Sequence, residues 1–438
     1  MKKINKIMLA TALLLGTANM PAQQTQALSL DEAVHLGILH SKNLKIDAAQ
    51  VREATAHYLE AKNRQLPSLT VSGSALALAN ADVNLMIAPP AQPGAATPKA
   101  NSAFFGNVSA SLPLFSGGRI RYGIQSAEYL VEAAQLSAEN NQTAIAYTVA
   151  QAYNNLFKAH QAIKVLTENL SASENRDASL AKLENNGIIA RNDRLKANLQ
   201  TSEIELQLLE AQNNYRIANI NMDLLLGLPE ETEISVDEGY LLEGSDTQEV
   251  SYYLAQALQH RKDLRALAYQ MKASDLGIAA AKAENLPSIA LTGGYVAAAV
   301  PKILTVVNAA NIGVGLEYSI DHLWKKNASL ERAQAQQAQL SARDELLQDQ
   351  IRLEVHREYQ NASFARRKIS VYEKAASQAN ENYRVTKRKF DNGLATITEL
   401  LDADAAQIAA NVNVVNARAD AALAYQKLLQ TSGTFILK

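Results

Sequence analysis

The residue types that most often carry catalysis are scattered or missing in this chain. The seven histidines form no His-Glu-x-x-His pattern, so the spacing of a common zinc site is absent. Gly293 and Gly294 lie in a predicted strand and lack the following Gly-Lys-Ser/Thr of a phosphate-binding loop. There is no cysteine, which excludes disulfides, thiolate metal ligands and a lipid-modified N-terminal cysteine. The sequence therefore predicts no enzyme, no metal site and no cofactor.

Carboxylates are the remaining candidates for a functional role. Thr396-Ile397-Thr398-Glu399 fits a capping box, in which Glu399 would bond the backbone at a helix start. Asp402 lies too deep in the same helix to cap it, so a functional role is the better explanation there. Asp193 follows Asn192 at another predicted helix start, where an N-cap or a first-turn acid suited to the helix dipole is the simpler explanation.

The elements that position these residues occur twice. The segment AKNRQLPSL at 61–69 recurs as AKAENLPSI at 281–289, and NNGI at 185–188 recurs as DNGL at 391–394. Each half predicts the same order: medium helix, two strands, very long helix, sharp turn, medium helix. A duplicated sequence predicts two equivalent structural units. The predicted units are a first repeat at 28–229 with strands at 68–79 and 104–115, a linker at 230–250, and a second repeat at 251–433 with strands at 288–299 and 311–320.

The first residues predict an export signal. Three lysines precede an apolar run at 7–16, and small residues follow it. We therefore assign 1–27 to a signal peptide that is cleaved after Ala22 or Ala27. The formal net charge of −2 gives no electrostatic case for nucleic acid as a partner.

Helix lengths and strand lengths together predict an elongated assembly. Residues 119–185 contain no proline, which predicts a helix of roughly 100 Å, and Gly187 follows as a glycine C-cap would. The two medium helices of each half, placed end to end, match that length and predict a long hairpin. Four strands of about 11 residues suit a tilted crossing of a bilayer, and their open edges would require several chains to close.

At this point the chain resembles the TolC family of bacterial outer-membrane efflux and secretion channels over essentially its whole mature length. The resemblance rests on the duplicated layout, on Leu-Pro-Ser before the first strand of each half, and on three further motifs. These are LPLFSGGR at 112–119, KFDNGL at 389–394 and ELLDA at 399–403.

The resemblance implies a mainly α fold with a membrane β-barrel, built from a duplicated helix-strand-strand-helix-helix unit. It implies a homotrimer in outer-membrane lipid, whose twelve-stranded barrel continues as a long periplasmic α-helical tunnel. It also implies a periplasmic adaptor (membrane fusion) protein and an inner-membrane transporter as partners.

The resemblance further implies a gate at the periplasmic tip. Glu399 and Asp402 match acidic residues that narrow the tunnel there, and Asp193 matches an acid at the first-half turn. Phe390 matches an aromatic of the family's polar lock but lacks a hydroxyl, and Ala395 stands where a basic residue is expected. The polar lock is therefore predicted to be lost.

The two turns are predicted to dock the adaptor because they lie farthest from the strands and leave apolar residues where helices end. The residues concerned are Gly187, Ile188, Gly393 and Leu394.

The sequence thus predicts a passive exit channel of a tripartite efflux system that conducts small molecules. Two alternatives stay open, namely the outer-membrane duct of a type I protein secretion system and an exported coiled-coil scaffold without a pore. The strand segments disfavour the scaffold. Trp324 fits an aromatic at the membrane interface, or equally a plug at the equator of the tunnel.

Overall fold

The computed structural model describes residues 25–82, 99–237, 239, 241, 248–301, 303–321 and 324–435. Most of the predicted signal peptide, including Ala22, lies outside the described residues, as do parts of the linker and residues 83–98 between the first two strands. Ala27 lies inside them, in the short strand β1 (Thr25–Leu28).

The first half contains two short helices, a strand pair and two long helices. Their bounds are α1 (Leu30–His40), α2 (Lys42–Asn63), β2 (Ser68–Asp82), β3 (Lys99–Phe115), α3 (Arg119–Asn185) and α4 (Arg191–Leu226). The strand β4 (Glu233–Val236) follows and pairs in parallel with β1.

The second half repeats this order. It comprises α5 (Val250–His260), α6 (Lys262–Ala283), β5 (Ser288–Val300), β6 (Leu304–Glu317), α7 (Ala328–Asp391) and α8 (Ile397–Thr431).

The helix that precedes the strands is broken in both halves, although the sequence predicted a continuous one. Ser41 adopts φ −57° and ψ 122°, and its hydroxyl accepts the Leu44 N–H at 3.3 Å to start α2. Arg261 adopts φ −62° and ψ 125° at the equivalent position, and its guanidinium pairs with Asp263 at 2.7 Å. The extended backbone at these residues ends the first helix, and the polar side chain supports the second.

The last strand differs most from its predicted bounds of 311–320. A tight turn, in which the Ile303 N–H donates to the Val300 carbonyl at 3.0 Å, lets β6 begin at Leu304. The strand ends at Glu317 because its partner strand begins at Ser288, directly opposite. The proline and small polar residues between the two predicted strands, at 300–310, had suggested a longer loop than the one observed.

The long helices hold the two halves together. Helix α3 packs against α4 and α2 of its own half, and also against α6 and α8 of the second half. The halves are therefore interlocked rather than packed as separate bodies.

The largest apolar core lies around Tyr153 of α3, beside the β1–β4 pair. The Tyr153 hydroxyl accepts the Asp237 N–H at 2.7 Å and donates to the Leu28 carbonyl at 2.9 Å. These bonds fix the short strands to the middle of the long helix. Among the described residues, no helix is long and apolar enough to cross a membrane.

Candidate functional site: the sheet, the flanks and the tips

The four-stranded sheet has one apolar and one polar face. Its order is β2-β3-β5-β6, and all neighbouring strands run antiparallel. Residues that are paired across strands share a face, and alternate residues along a strand lie on opposite faces. One face carries Leu69, Val71, Phe104, Val108, Leu112, Leu291, Tyr295, Ile312, Val314 and Leu316, whereas the other carries Ser68, Thr70, Ser72, Asn107, Ser109, Ser111, Thr292 and Asn311. Leu76, Phe105 and Val296 are apolar exceptions on this second face.

Both edges of this sheet are open in the single chain. Among the residues that the structure describes, strand β2 pairs only with β3, and β6 pairs only with β5. Apolar side chains next to the open edges are highly exposed, including Val71 in β2 and Ile312 in β6. An open edge exposes unpaired backbone groups that favour pairing with another chain.

The helices also expose apolar residues at the two outer sides of the chain. Helices α3 and α8 pack between α4 and α7, so α4 and α7 form the two flanks. Exposed apolar residues fall on one side of each flanking helix. The α4 stripe consists of Leu195, Leu199, Leu206, Leu209, Ile217 and Leu224, and the α7 stripe consists of Leu346, Leu353, Phe364 and Val371.

The two hairpin tips have the same backbone. Gly187 and Gly393 have φ +69° and +71°. The Ile188 N–H donates to the Leu183 carbonyl at 2.9 Å, and the Leu394 N–H donates to the Lys389 carbonyl at 2.8 Å. These are the bonds of a Schellman motif, so both long helices end in the same glycine-dependent way. Ile188 and Leu394 are 67% and 78% exposed just beyond the turns.

Glu399 at the second tip is a helix cap in this structure. Its carboxylate accepts the Thr396 backbone N–H at 2.7 Å and the Thr396 hydroxyl at 3.0 Å, and its own N–H donates back at 3.2 Å. The bond from the Thr396 backbone, followed by the bond from its hydroxyl, lowers the pKa of Glu399. The predicted capping box is therefore confirmed, and Glu399 remains exposed and ionised.

Asp402 lies one turn further along the same helix. It is exposed, and it makes no hydrogen bond or ion pair to any other residue that the structure describes. Its carboxylate is thus available to solvent or to another chain.

The start of α4 at the first tip confirms one of the two predicted alternatives, in which Asp193 is a first-turn acid rather than the N-cap. Helix α4 begins at Arg191 with Ala190 as an N-cap that makes no side-chain bond, so Asn192 and Asp193 lie in the first turn rather than at the cap. Asp193 lies 3.6 Å from the Lys196 ammonium, measured to Oδ1. Helix α4 therefore begins one residue before Asn192, the residue whose type had suggested a cap.

Phe390 lies in an apolar cluster that joins both tips. The buried members of this cluster include Leu180 of α3, Ala197 of α4, and Leu400 and Leu401 of α8, and Phe390 is partly buried against them. Phe390 therefore has a packing role in this structure, whereas the carboxylates of Glu399 and Asp402 are exposed.

Two polar links between the tips were missed by the sequence reasoning. Arg176 of α3 pairs with Asp404 of α8 at 2.8 Å, and the two side chains are only 10% and 6% exposed. The Lys196 ammonium of α4 donates to the Thr398 hydroxyl of α8 at 3.3 Å. A signal for the first link was present, because Asp404 lies four residues after Leu400 on the apolar stripe of its helix.

The architecture is that of solved outer-membrane channels. The fold matches VceC from Vibrio cholerae with a TM-score of 0.76 and 17% identity, over 93% of this chain and 97% of that one. It matches CusC with a TM-score of 0.79 and 20% identity, over 92% of each chain.

A sequence relative agrees with this class. The outer membrane efflux protein BepC of Brucella suis biovar 1 (strain 1330) is 24% identical over 331 residues, which cover 73% of this chain and 70% of that protein. Residues 34–228 and 253–434 match the outer membrane efflux protein family, and the chain belongs to that family. The family is one of channels rather than enzymes, and the chain is an efflux exit duct of the outer membrane.

Proposed function

We propose that three copies of this chain close into a twelve-stranded barrel, with the apolar face of the sheet toward lipid and the polar face toward the lumen. The two-faced sheet with two open edges carries the proposal. Lipid does not tolerate unpaired backbone, so the edge of β6 must pair with β2 of a neighbouring copy. The lumen of such a barrel receives hydroxyl or amide side chains from all four strands, which suits a passive aqueous duct.

The flanking stripes support the same closure. The α4 stripe and the α7 stripe lie on different helices, so one copy's α4 can cover the next copy's α7. Such a head-to-tail contact generates a ring when its rotation closes. The ring would continue the barrel as a helical tunnel and would bury both stripes.

Introduced cysteines test the closure, because the natural chain has none. Leu209 and Val371 lie about the same distance from the tip ends of their helices, roughly 30 Å. Leu209→Cys with Val371→Cys should give an oxidant-dependent ladder up to a trimer. Ser370→Cys in place of Val371→Cys is the matched control, since Ser370 is exposed on another side of α7. Only monomer in both variants, in membranes that contain folded protein, would contradict the closure.

The duct serves a tripartite efflux system, in which a periplasmic adaptor and an inner-membrane transporter deliver small molecules to it. Membership of the efflux family supports this function. Ile188 and Leu394 support the tips as the docking points, because equivalent exposed apolar side chains follow both turns and could contact a partner together.

Substitutions at the tips test the docking. Leu394→Asp places a charge in the apolar contact, and Gly393→Val strains a residue with positive φ. Both should lower crosslinking to the adaptor and raise the cell's susceptibility to exported compounds. Asn192→Asp, an exposed polar change beside the first turn, is the control. Unchanged crosslinking and export in all variants would contradict the docking.

Glu399 and Asp402 of the three copies form an acidic ring at the tip in this assembly, with Asp193 and Phe390 beside it. The exposure of both carboxylates supports this role. A ring of like charges in a narrow aqueous path attracts cations.

Signal cleavage after Ala22 fits the fold better than cleavage after Ala27. Cleavage after Ala27 would remove Thr25, Gln26 and Ala27, which pair with β4. Cleavage after Ala22 keeps the β1–β4 pair that Tyr153 ties to α3.

A further inference from the structure

We propose that the described residues after β6, 318–321 and 324–326, form a binding site for anionic phospholipid in the periplasmic leaflet of the outer membrane. Tyr318, Ile320 and Trp324 would enter the interfacial region, and Lys325 and Lys326 would bind lipid phosphates. This inference rests on the proposed barrel, which sets the depth of the segment in the membrane.

The two equivalent junctions between strand and long helix differ in length and content. In the first half, Ser116, Gly117 and Gly118 lead from β3 directly into α3, and both glycines have positive φ. A Cβ at Gly117 would meet the Leu286 side chain at 2.8 Å, so this junction is tight. In the second half, residues 318–327 separate β6 from α7. The duplication therefore leaves an added segment at one junction only.

The added segment continues the apolar face of the sheet. Ile312, Val314 and Leu316 lie on that face at alternate positions of β6. Tyr318 and Ile320 extend the alternation past the strand's end, and both are exposed. An apolar surface that continues the lipid-facing side of the barrel favours lipid as its occupant, because the other face of the sheet is lined by polar groups.

A basic, aromatic surface follows immediately. Trp324 is 68% exposed, and Lys325 and Lys326 are exposed beside it. The Lys325 ammonium lies 2.7 Å from the Asp321 carboxylate, whereas Lys326 makes no ion pair with any residue that the structure describes. Aromatic rings favour the headgroup depth of a bilayer, and lysines at that depth attract anionic headgroups.

Hydrogen bonds on both sides of the lysines fix their place in the fold. The Trp324 and Lys325 N–H groups donate to the Asp321 carbonyl at 3.2 and 2.9 Å. The Asn327 side chain then accepts the Leu330 N–H at 2.9 Å and caps α7. The lysines thus lie between a turn at Asp321 and a capped helix.

Trp324 is the one tryptophan in the chain, so fluorescence reports on this site alone. The intact protein is reconstituted into vesicles, and single-channel current first establishes that the barrel has inserted. Phosphatidylcholine brominated at a shallow acyl position should quench Trp324 more strongly than phosphatidylcholine brominated near the bilayer centre. Quenching by soluble iodide without any quenching by brominated lipid, in conducting channels, would place Trp324 in the lumen and overturn the proposal. Failure to insert would instead count against the proposed barrel.

A second arm tests the preference for anionic lipid. Brominated phosphatidylglycerol, diluted into unlabelled phosphatidylcholine, should quench Trp324 about twofold more than brominated phosphatidylcholine at the same mole fraction. Lys325→Gln with Lys326→Gln should abolish this difference. Lys387→Gln with Arg388→Gln is the matched control, because it removes the same charge from exposed residues at the other end of α7. Equal quenching by both lipids in the natural protein would overturn the anionic preference.

Discussion

The two hairpin tips share a backbone but not a chemistry. Gly187 and Gly393 close identical turns, and each helix end is satisfied by the same pair of backbone bonds. The helix that follows the second turn carries a capping box and an exposed Asp402, whereas the helix that follows the first turn has an uncapped start at Ala190. Duplication has therefore kept the geometry of the turn, while the side chains after it have diverged.

This difference distinguishes residues that build the tip, namely the turn and the apolar cluster, from charged residues that give it a function. The turn requires only glycine and apolar neighbours, and the shared cluster around Leu400 buries residues from both halves. The second tip contributes the exposed carboxylates of Glu399 and Asp402, and the first tip contributes the basic side chains Arg176 and Lys196 to the links. Each tip also carries charges of the opposite sign, so the tips differ in where their charges lie rather than in overall sign.

The largest effect is expected when the buried ion pair between the tips is broken. Arg176→Ala leaves the Asp404 carboxylate buried without its partner, which should cost about 3–5 kcal/mol of unfolding free energy. The change is measured by guanidinium unfolding followed by far-UV circular dichroism. Arg176→Met combined with Asp404→Leu should recover most of the loss, because it removes both charges together.

A surface ion pair is the control for that experiment. Arg352 and Asp349 of α7 pair at 2.9 Å while both are largely exposed, so Arg352→Ala should cost less than about 1 kcal/mol. If Arg176→Ala costs no more than Arg352→Ala, the two tips are not held together by the buried pair.

The sequence predicted the layout of the chain well because long helices and turns depend on local signals. The uninterrupted run to Asn185 and the glycines after both long helices are readable residue by residue, and α3 has the predicted bounds. The Arg176–Asp404 pair joins residues that are far apart in the chain, so no local spacing could identify the partner. The breaks at Ser41 and Arg261 were missed because neither residue is a strong helix breaker.

The candidate site was predictable to a lesser extent. The Thr396–Glu399 box is a local motif, and the structure contains it. The contact between Lys196 and Thr398 depends on how two hairpins pack, which the sequence does not state. The proposed role of Asp402 as a gate residue depends on copies of the chain that a single sequence cannot position.

The second expected effect tests whether the acidic tip controls ions. Glu399→Gln with Asp402→Asn should weaken block of single-channel current by divalent cations roughly tenfold, because the ring loses its charge. Glutamine can still cap the helix, so the box should survive. Since the Thr396 bonds lower the pKa of Glu399, its charge in the natural protein should persist as pH falls through the ordinary glutamate value of 4.5.

Asp391→Asn is the matched control for the gate, because Asp391 is exposed on the other side of the same turn. It should leave the block nearly unchanged. An intact trimer whose Glu399→Gln, Asp402→Asn variant is blocked as strongly as the natural protein would exclude an acidic gate at this tip.

A smaller effect is expected when the helix cap is removed at the second tip or added at the first. Thr396→Ala should cost about 1 kcal/mol of unfolding free energy, whereas Ala190→Ser should add a comparable amount by supplying the missing cap. Because the folded pKa of Glu399 is lowered, its contribution to stability is present above the ordinary glutamate pKa and is lost as pH falls through the folded value. The loss at acid pH should therefore disappear in Glu399→Gln, which has no titrating carboxyl, and should only shrink in Thr396→Ala, which keeps the backbone N–H bond. Equal acid sensitivity in Glu399→Gln and the natural protein would mean that the box does not stabilise the second tip.

The smallest expected effect concerns the exposed link from Lys196. Its ammonium lies 3.6 Å from Asp193 and 3.3 Å from the Thr398 hydroxyl, and its side chain is 45% exposed. Water and salt screen such a pair, so Lys196→Met should cost about 0.5 kcal/mol or less, and less still in 1 M salt. The Arg176 pair is buried and should keep its effect in the same salt. If Lys196→Met instead lowers the unfolding free energy as much as Arg176→Ala does, the tips are joined at their exposed surface rather than through the buried pair. The distinction between a structural interior and a chemically divergent surface would then be wrong.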